Sequence, residues 1–487
     1  DYTMSVAPVK QKNKVYYINT CITIILFLGI GHLPPFGQIT PMGMKVLAVF
    51  IGMLYGWLTV GFAWPSIFGT IMLGLSGAMS VNQAFSSGWG NVNAVIMVIM
   101  ACALANYLDQ CKLTDAIAGF FLTRKFVDGK PYAMICMIFV AAYVIGAFTS
   151  LFAGIFVMWA ILYKVMDLVG YEKRSLRSCY LLGMVVYSAN LGGLFLPFHA
   201  SAIMYTGFVK QSIEGLAIPY AQYMVFQFFA MLALMIGYVL VGKFLLRLDF
   251  SALAKTENFA MYGGKKLNFE QKFGLIDLLF MVILLLIPDL LPRTNPVAAF
   301  MKSLGVVGVF GLAMIVPAII KKDGKPLMNI SECTKNTPWD IIWLLVATMP
   351  VAAAMQSADS GILSTMVGGV MGVIGNMSWI TFTIITTIIL GLATQVMHNL
   401  IIAAVLFGPL ALICQQLGGN PVVWFMVNYI VNMAAFMTPA GSGTSAILHG
   451  NSEWVRPRDA YLLGTLWLII SVVFVTLVGV SLGQVLF

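Results

Sequence analysis

Uncharged hydrogen-bonding residues, Thr149, Ser150, Asn190, Asn399, Thr438, Ser442, Thr444 and Ser445, stand where long apolar runs are interrupted. Three of the four histidines, His199, His398 and His449, fall in or beside the same interruptions. Hydroxyls and amides of this kind can hold a small polar or anionic solute, and a histidine can donate to a carboxylate or titrate near neutral pH. Each histidine is equally readable as a hydrogen-bonded packing residue near a helix end. Asp109 and Asp359 sit close to apolar stretches, where an acid serves either ion coupling or an interfacial helix cap. Enzyme chemistry is not indicated, because there is no nucleophile motif, metal-ligand spacing or phosphate loop, and Gly192-Gly193 alone is not one. The seven cysteines (Cys21, Cys102, Cys111, Cys136, Cys179, Cys333 and Cys414) are scattered and never in C-x-x-C, so they predict neither a disulfide framework nor a zinc site.

The elements that must position these groups follow from composition. Of 487 residues, 60% are hydrophobic and 9% charged. A soluble domain has roughly 45–50% apolar residues, so the chain reads as a membrane protein. At about 20 apolar residues per crossing the length accommodates on the order of ten to twelve helices. Runs of helical length (Ile18 to Leu33, Phe273 to Ile287, Tyr461 to Leu486) argue against a β-barrel. The net charge of +9 is concentrated in a few short loops, as helix orientation requires, with no groove-like mixture of basic and aromatic residues that would suit nucleic acid. The first apolar run follows Lys10, Lys12 and Lys14 and lacks a small-residue cleavage site before Pro34-Pro35, so it is expected to remain as a helix.

Loop charge then orders the chain. A cytoplasmic tail (1–15) precedes scaffold helices within 16–88, over about 16–33, 43–60 and 63–79. A loop at 80–92 without Lys or Arg lies outside, and a helix over about 93–113 returns to Arg124, Lys125 and Lys130. The apolar block 132–169 is followed by Lys173, Arg174 and Arg177, so both its flanks are basic and it must pass an even number of times. Its centre, Gly146 to Ser150, has neither charge nor proline, and each arm is short for a full crossing. A hairpin entering from the cytoplasm and turning back at mid-depth satisfies both facts, and exposed backbone at such a tip requires surrounding protein or a watery cavity. Residues 178–208, interrupted by Asn190, Gly192, Gly193 and Pro197, read as a helix unwound at its centre. A helix over about 220–246 leads to a cytoplasmic linker, 248–272, and then to scaffold helices over 273–292 and 303–320 within 273–338.

The halves 89–247 and 339–487 share anchors. Trp89 and Trp339 open corresponding helices at an offset of 250, Asp109 aligns with Asp359, Leu113 with Leu363, and Thr149-Ser150 with His398-Asn399. The flanking charge is reversed: the second hairpin (378–416) lies between segments without Lys or Arg, whereas the first lies between basic loops. The second half therefore reads as an inverted repeat, with its own broken helix (422–450) unwound near Thr438 to Thr444. Helix N-termini at such breaks offer N–H groups to anions, and unwound carbonyls suit Na⁺. A single Gly or Pro break reads more simply as a kink.

The stretch Phe436-Met437-Thr438-Pro439-Ala440-Gly441-Ser442-Gly443-Thr444-Ser445-Ala446-Ile447 is similar to F-M-x-P-x-x-[ST]-P-P-N-A-I of the divalent anion:sodium symporter family, within the ion transporter superfamily. Ser188-Ala189-Asn190-Leu191-Gly192-Gly193 resembles its S-x-x-x-G-G, and Asp459 stands where the family often has an acid at the start of the last helix. Of the family's two Ser-Asn-Thr tips, Ser150 and Asn399 carry over. Leu151-Phe152, His398 and Leu400 differ, as do Leu196 and Ser201-Ala202-Ile203.

The resemblance implies an all-α polytopic membrane protein with about 11 transmembrane helices, two re-entrant hairpins, an inverted repeat and a homodimeric elevator. It further implies a multi-pass protein of the cytoplasmic membrane, N-terminus inside and C-terminus outside. Its cargo would be a small organic anion, moved by Na⁺ symport or by exchange, with no cofactor beyond Na⁺. Together with the interrupted runs it points to substrate binding by Thr149, Ser150, Pro197, His199, His398, Asn399, Ser442, Gly443, Thr444 and Ser445. For a coupling ion it points to Ser150, Asn190, Gly193, Asn399, Thr438 and Gly441. The alternative is a cation/proton antiporter of the same superfamily using Asp109, Asp359 or the histidines.

Overall fold

The computed structural model describes residues 13–90, 92–149, 151–255, 257, 259, 266–292, 294–335, 337–365, 368, 369 and 377–487. Ser150 lies outside the described residues.

The described chain is almost entirely helical. In order it forms α1 (Asn13–Gly29), α2 (Pro41–Thr59), α3 (Ala63–Leu75), α4 (Val81–Trp89), α5 (Met97–Gln110), α6 (Leu113–Leu122), α7 (Pro131–Phe148), α8 (Leu151–Leu168), α9 (Leu176–Gly192) and α10 (Ala200–Ser212). There follow α11 (Tyr220–Leu240), α12 (Phe269–Leu290), α13 (Pro296–Ile319), α14 (Ile330–Lys335), α15 (Trp339–Gln356), α16 (Trp379–Ala393), α17 (Asn399–Gln416), α18 (Pro421–Met433), α19 (Gly443–Gly450) and α20 (Pro457–Leu486). Nine of the described helices are long and apolar enough to cross a membrane. This is an all-α polytopic membrane protein, apart from a two-stranded antiparallel turn at Lys321–Lys322 and Lys325–Pro326.

Local chemistry sets where these helices begin. Thr40 caps α2 by accepting from Gly43 N–H (3.0 Å) with Pro41 behind it, Ser175 and Ser378 cap α9 and α16, and Asn268 forms a capping box with Gln271 at α12. Several expected boundaries move as a result. The expected loop at 80–92 contains α4, started by a Ser80–Gln83 capping box that loop charge does not register. Trp89 therefore closes α4 rather than opening the next helix, whereas Trp339 does open α15. The helix expected over 93–113 ends at Gln110, and Lys112, at φ 55°, turns the chain into α6. Asp359 lies beyond the end of α15, outside the helix.

Two compact units divide the chain. The smaller comprises Asp1–Val95, Phe208–Glu214 and Pro338–Met377, and the larger the remainder. Within the smaller unit α2, α3, α4 and α15 pack on one another, and Gly88 brings α4 so close to Val346 that a Cβ there would lie 2.2 Å from its carbonyl oxygen. The larger unit contains α9, α18, α19 and the first part of α10, through Gly207. It also contains α12 and α13, which pack against α5 and were expected to group with 16–88.

In the larger unit α7 and α8 form an antiparallel pair, and both pack on α9. The crossing of α7 and α9 is reciprocal. A Cβ at Gly146 would stand 2.1 Å from the Ala189 carbonyl oxygen, and one at Gly192 would stand 2.0 Å from that of Tyr143. No side chain larger than hydrogen fits either position while the backbones stay where they are. Gly192, half of the pair read as a break, thus also sets how closely the hairpin approaches the broken helix.

Candidate functional site

The second break is the better defined of the two. α18 ends at Met433, the chain runs without regular structure through Ser442, and α19 begins at Gly443. Its polar side chains are satisfied within the segment. Ser442 Oγ donates to the Ala435 carbonyl (3.0 Å) and accepts from Ser445 N–H (3.1 Å), while Ser445 Oγ donates to the Thr438 carbonyl (2.7 Å). Thr438 donates in turn to the Gln395 carbonyl. A hydroxyl has one proton, so Thr438, Ser442 and Ser445 are left with lone pairs only, which suit a cation or an N–H donor better than a carboxylate. Ser442, Thr444 and Ser445 are buried, whereas Pro439, Ala440 and Gly443 are exposed around them.

The turn of the second hairpin, between α16 and α17, is tied to this break. Gln395, buried and overlooked in the sequence, accepts from Met437 N–H (2.9 Å) and donates to the carbonyls of Gly391 (2.8 Å) and Ala434 (3.0 Å). Thr394 donates to the Asn432 carbonyl (3.0 Å), and Asn399 N–H to the Gly441 carbonyl (2.9 Å). Asn399 Nδ2 lies 3.3 Å from Met433 Sδ. His398 caps α17, its Nδ1 accepting from Leu400 N–H (3.2 Å), and its carbonyl accepts from Ile401 N–H (3.0 Å). The amides at this tip, expected to face an anion, are therefore engaged inside the protein.

At the first break α9 ends at Gly192, a series of turns follows, and α10 starts at Ala200. Ser201 Oγ donates to the Gly193 carbonyl (2.9 Å) and lies 2.9 Å from His199 Nδ1, so the histidine is held by its own break. Pro197 is buried in the same segment. Thr149 caps α7, its hydroxyl bonding to the Ile145 carbonyl (2.8 Å) and lying 3.3 Å from the Thr114 hydroxyl, which is itself 3.2 Å from Asp109 Oδ1. Asp109 thus faces a local threonine.

At the breaks themselves, two long-range side-chain hydrogen bonds link one half to the other. Asn190 Nδ2, from the last turn of α9, donates to Thr444 Oγ1 (3.0 Å) at the start of α19 as well as to the Val186 carbonyl (3.0 Å). Conversely Tyr205 of α10 donates to Asn432 Oδ1 (2.8 Å) in the last turn of α18. Each half's terminal asparagine therefore reaches the segment that follows the other half's break. The structure brings Asn190, Thr438, Asn399, Gly441, Ser442, Thr444 and Ser445 into one connected network, with Gly443 beside the Phe152 ring of α8. Thr149, Pro197 and His199 stand outside that network, Thr149 beside Thr114 of α6. His449 Nε2 lies 3.2 Å from the Phe436 carbonyl. Among the described residues no group of three or more His, Cys, Asp or Glu side chains could hold a metal ion.

Paired helices and paired breaks of this kind accompany a match to a family of membrane transporters, not of enzymes. The citrate transporter family profile matches residues 46–428, well over half of the chain, and the chain belongs to that family. It is 26% identical over 145 residues to a sodium-dependent high-affinity dicarboxylate transporter of Caenorhabditis elegans, covering 30% of this chain and 25% of that protein. It is also 26% identical over 152 residues to an uncharacterized transporter of Synechocystis sp., covering 30% of this chain and 24% of that protein. The matched segments thus span about a quarter of these relatives' lengths. The fold is similar to the crystal structure of the Alcanivorax borkumensis YdaH transporter, with a TM-score of 0.59 at 13% identity, covering 82% of this chain and 87% of that one.

Proposed function

We propose that this protein is a secondary active transporter of a small, dicarboxylate-like organic anion in the cytoplasmic membrane, driven by Na⁺ symport or by exchange. The observation that carries the reading is the Asn190–Thr444 hydrogen bond, which joins the ends of two broken helices from opposite halves of the chain. The family and the sodium-dependent dicarboxylate transporter among its relatives support the cargo class and Na⁺ as a coupling ion. In this reading the anion is held by backbone amides at the starts of α10 and α19 and by Thr444. Na⁺ is held by carbonyls of the unwound 434–442 segment together with the hydroxyl oxygens of Thr438 and Ser442. Hairpins and broken helices carry the solute by an elevator movement in a homodimer, with the N-terminus in the cytoplasm and the C-terminus outside.

The test is uptake of a panel of radiolabelled carboxylates and sulfonates into proteoliposomes, with and without an inward Na⁺ gradient. Uptake of at least one dicarboxylate, stimulated by Na⁺ or by internal anion, is expected. Absence of uptake and counterflow for the whole panel overturns the reading. Dissipation of a pH gradient by Na⁺ in the absence of organic solute would assign the protein to cation/proton antiport instead.

A further inference from the structure

α12 carries an acid that the anion site does not use. Gly274, Asp277, Leu278, Met281 and Leu285 form the inward stripe of this helix, while Ile276, Leu279, Phe280 and Ile283 on its other face are exposed. Asp277 lies eight residues beyond Phe269, roughly 12 Å along the helix, well inside an apolar span. It is 5% exposed, and its Oδ2 is buried without a hydrogen-bond partner. It joins none of the salt bridges among the described residues.

Among the described residues no cation pairs with Asp277, and Lys112, in the turn after α5, is exposed. From α5 and the turn after it come Tyr107 and Cys111, which interact with Asp277 electrostatically, and Cys333 of α14 lies near both. The titratable residue of α13 is Lys302, which is exposed, and that of α6 is Asp115, also exposed. Within Tyr220–Leu240, α11 offers tyrosines, of which Tyr223 and Tyr238 donate to the carbonyls of Leu194 and Tyr180. On α12 itself Glu270 pairs with Lys322. An ionised carboxylate buried without a cation or sufficient hydrogen bonds is strongly disfavoured and becomes neutral by taking up a proton. Acids inside membrane spans are rare and mark ion or proton pathways.

We propose that Asp277 is a proton-binding site, separate from the broken-helix network, and that its protonation sets the rate at which the anion is moved. The step is simple exchange with water: the carboxylate accepts a proton on one oxygen and later returns it, with no other bond made or broken. The first half of the proposal stands without the transport reading, and the second half rests on it.

Infrared spectroscopy of the full-length protein in nanodiscs tests the first half. At about pH 7, well above the ordinary aspartate range, the wild type should show the carbonyl band of a protonated carboxylic acid. That band should shift on ¹³C-aspartate labelling and be missing from Asp277→Asn. Absence of an isotope-sensitive acid band in the wild type overturns the site without recourse to the variant, as does a band that persists in the variant. For the second half, initial uptake of a dicarboxylate is followed over about pH 6.5–8.5, where the solute remains ionised. The wild-type rate should vary by up to about tenfold per pH unit, as for a single titrating group, and the Asp277→Asn profile should be flat. Parallel profiles overturn the link to transport. If no anion is transported at all while the infrared band is present, the transport reading fails and the proton site stands.

Discussion

Asn190 is buried with both amide protons committed, one to Val186 within its own helix and one to Thr444 in the other half. Thr444→Val keeps the shape and removes the acceptor, leaving a buried N–H unpaired, which costs about 1–3 kcal/mol. Thermal unfolding in detergent should show that loss, and Thr444→Ser should restore most of it. In the transport reading Thr444→Val also raises the KM for the anion, whereas a purely structural role leaves KM unchanged. The polar interruptions, Asn190 and the segment from Thr438 to Ser445, were legible because polar residues and glycines stand out in an apolar run. Gln395, Asn432 and Tyr205 were not. Tyr205 and Asn432 each sit inside a helix, where a lone polar side chain reads the same whether it packs or bridges, and their mutual partners lie 227 residues apart. Asp277 escaped for a related reason, since its significance lies in the lack of a paired cation among the described residues.

At the scale of elements, the crossing of α7 with α9 is packed closely enough to make a sharp contrast. Gly146→Ala and Gly192→Ala each place a methyl group about 2 Å from a carbonyl oxygen, so the helices must separate. Both variants should lose transport and unfold at clearly lower temperature, while Gly450→Ala, with no neighbouring atom within 4 Å of its Cβ, should behave as wild type. A second junction joins the loop after α8 to the one after α19. Arg174 N–H donates to the Trp454 carbonyl (3.0 Å), its side chain to the Ser452 carbonyl (2.7 Å), and Tyr163 stacks on Trp454 at 5.1 Å. Lys173 pairs with Glu453 there, but both are well exposed, and the carboxylate beside Lys173 raises its pKa without burying it. Surface pairs of this kind contribute little. Glu453→Gln should therefore leave the melting temperature unchanged, whereas Trp454→Ala, emptying a buried ring site, should cost about 3–5 kcal/mol. Helix existence was legible from apolar runs at this scale, but α4 was not. Loop charge distinguishes the sides of a membrane, and the Ser80–Gln83 capping pattern is what announces the short helix between α3 and α5.

For the molecule as a whole, composition and loop charge sufficed to predict a polytopic helical membrane protein, because apolar length and basic loops are properties a bilayer selects directly. The grouping of helices into compact units was less legible. α12 and α13 pack against α5 through contacts that no charge pattern encodes. The central claim is that the two broken-helix segments together receive the cargo. The most direct measurement is an experimental structure of the protein soaked with a transported dicarboxylate and Na⁺. Solute density within hydrogen-bonding distance of Thr444 and the start of α19, close to Asn190, is the predicted result. Solute bound solely elsewhere, with the segments around Asn190 and Ser442 to Ser445 unchanged and unoccupied, would contradict the account.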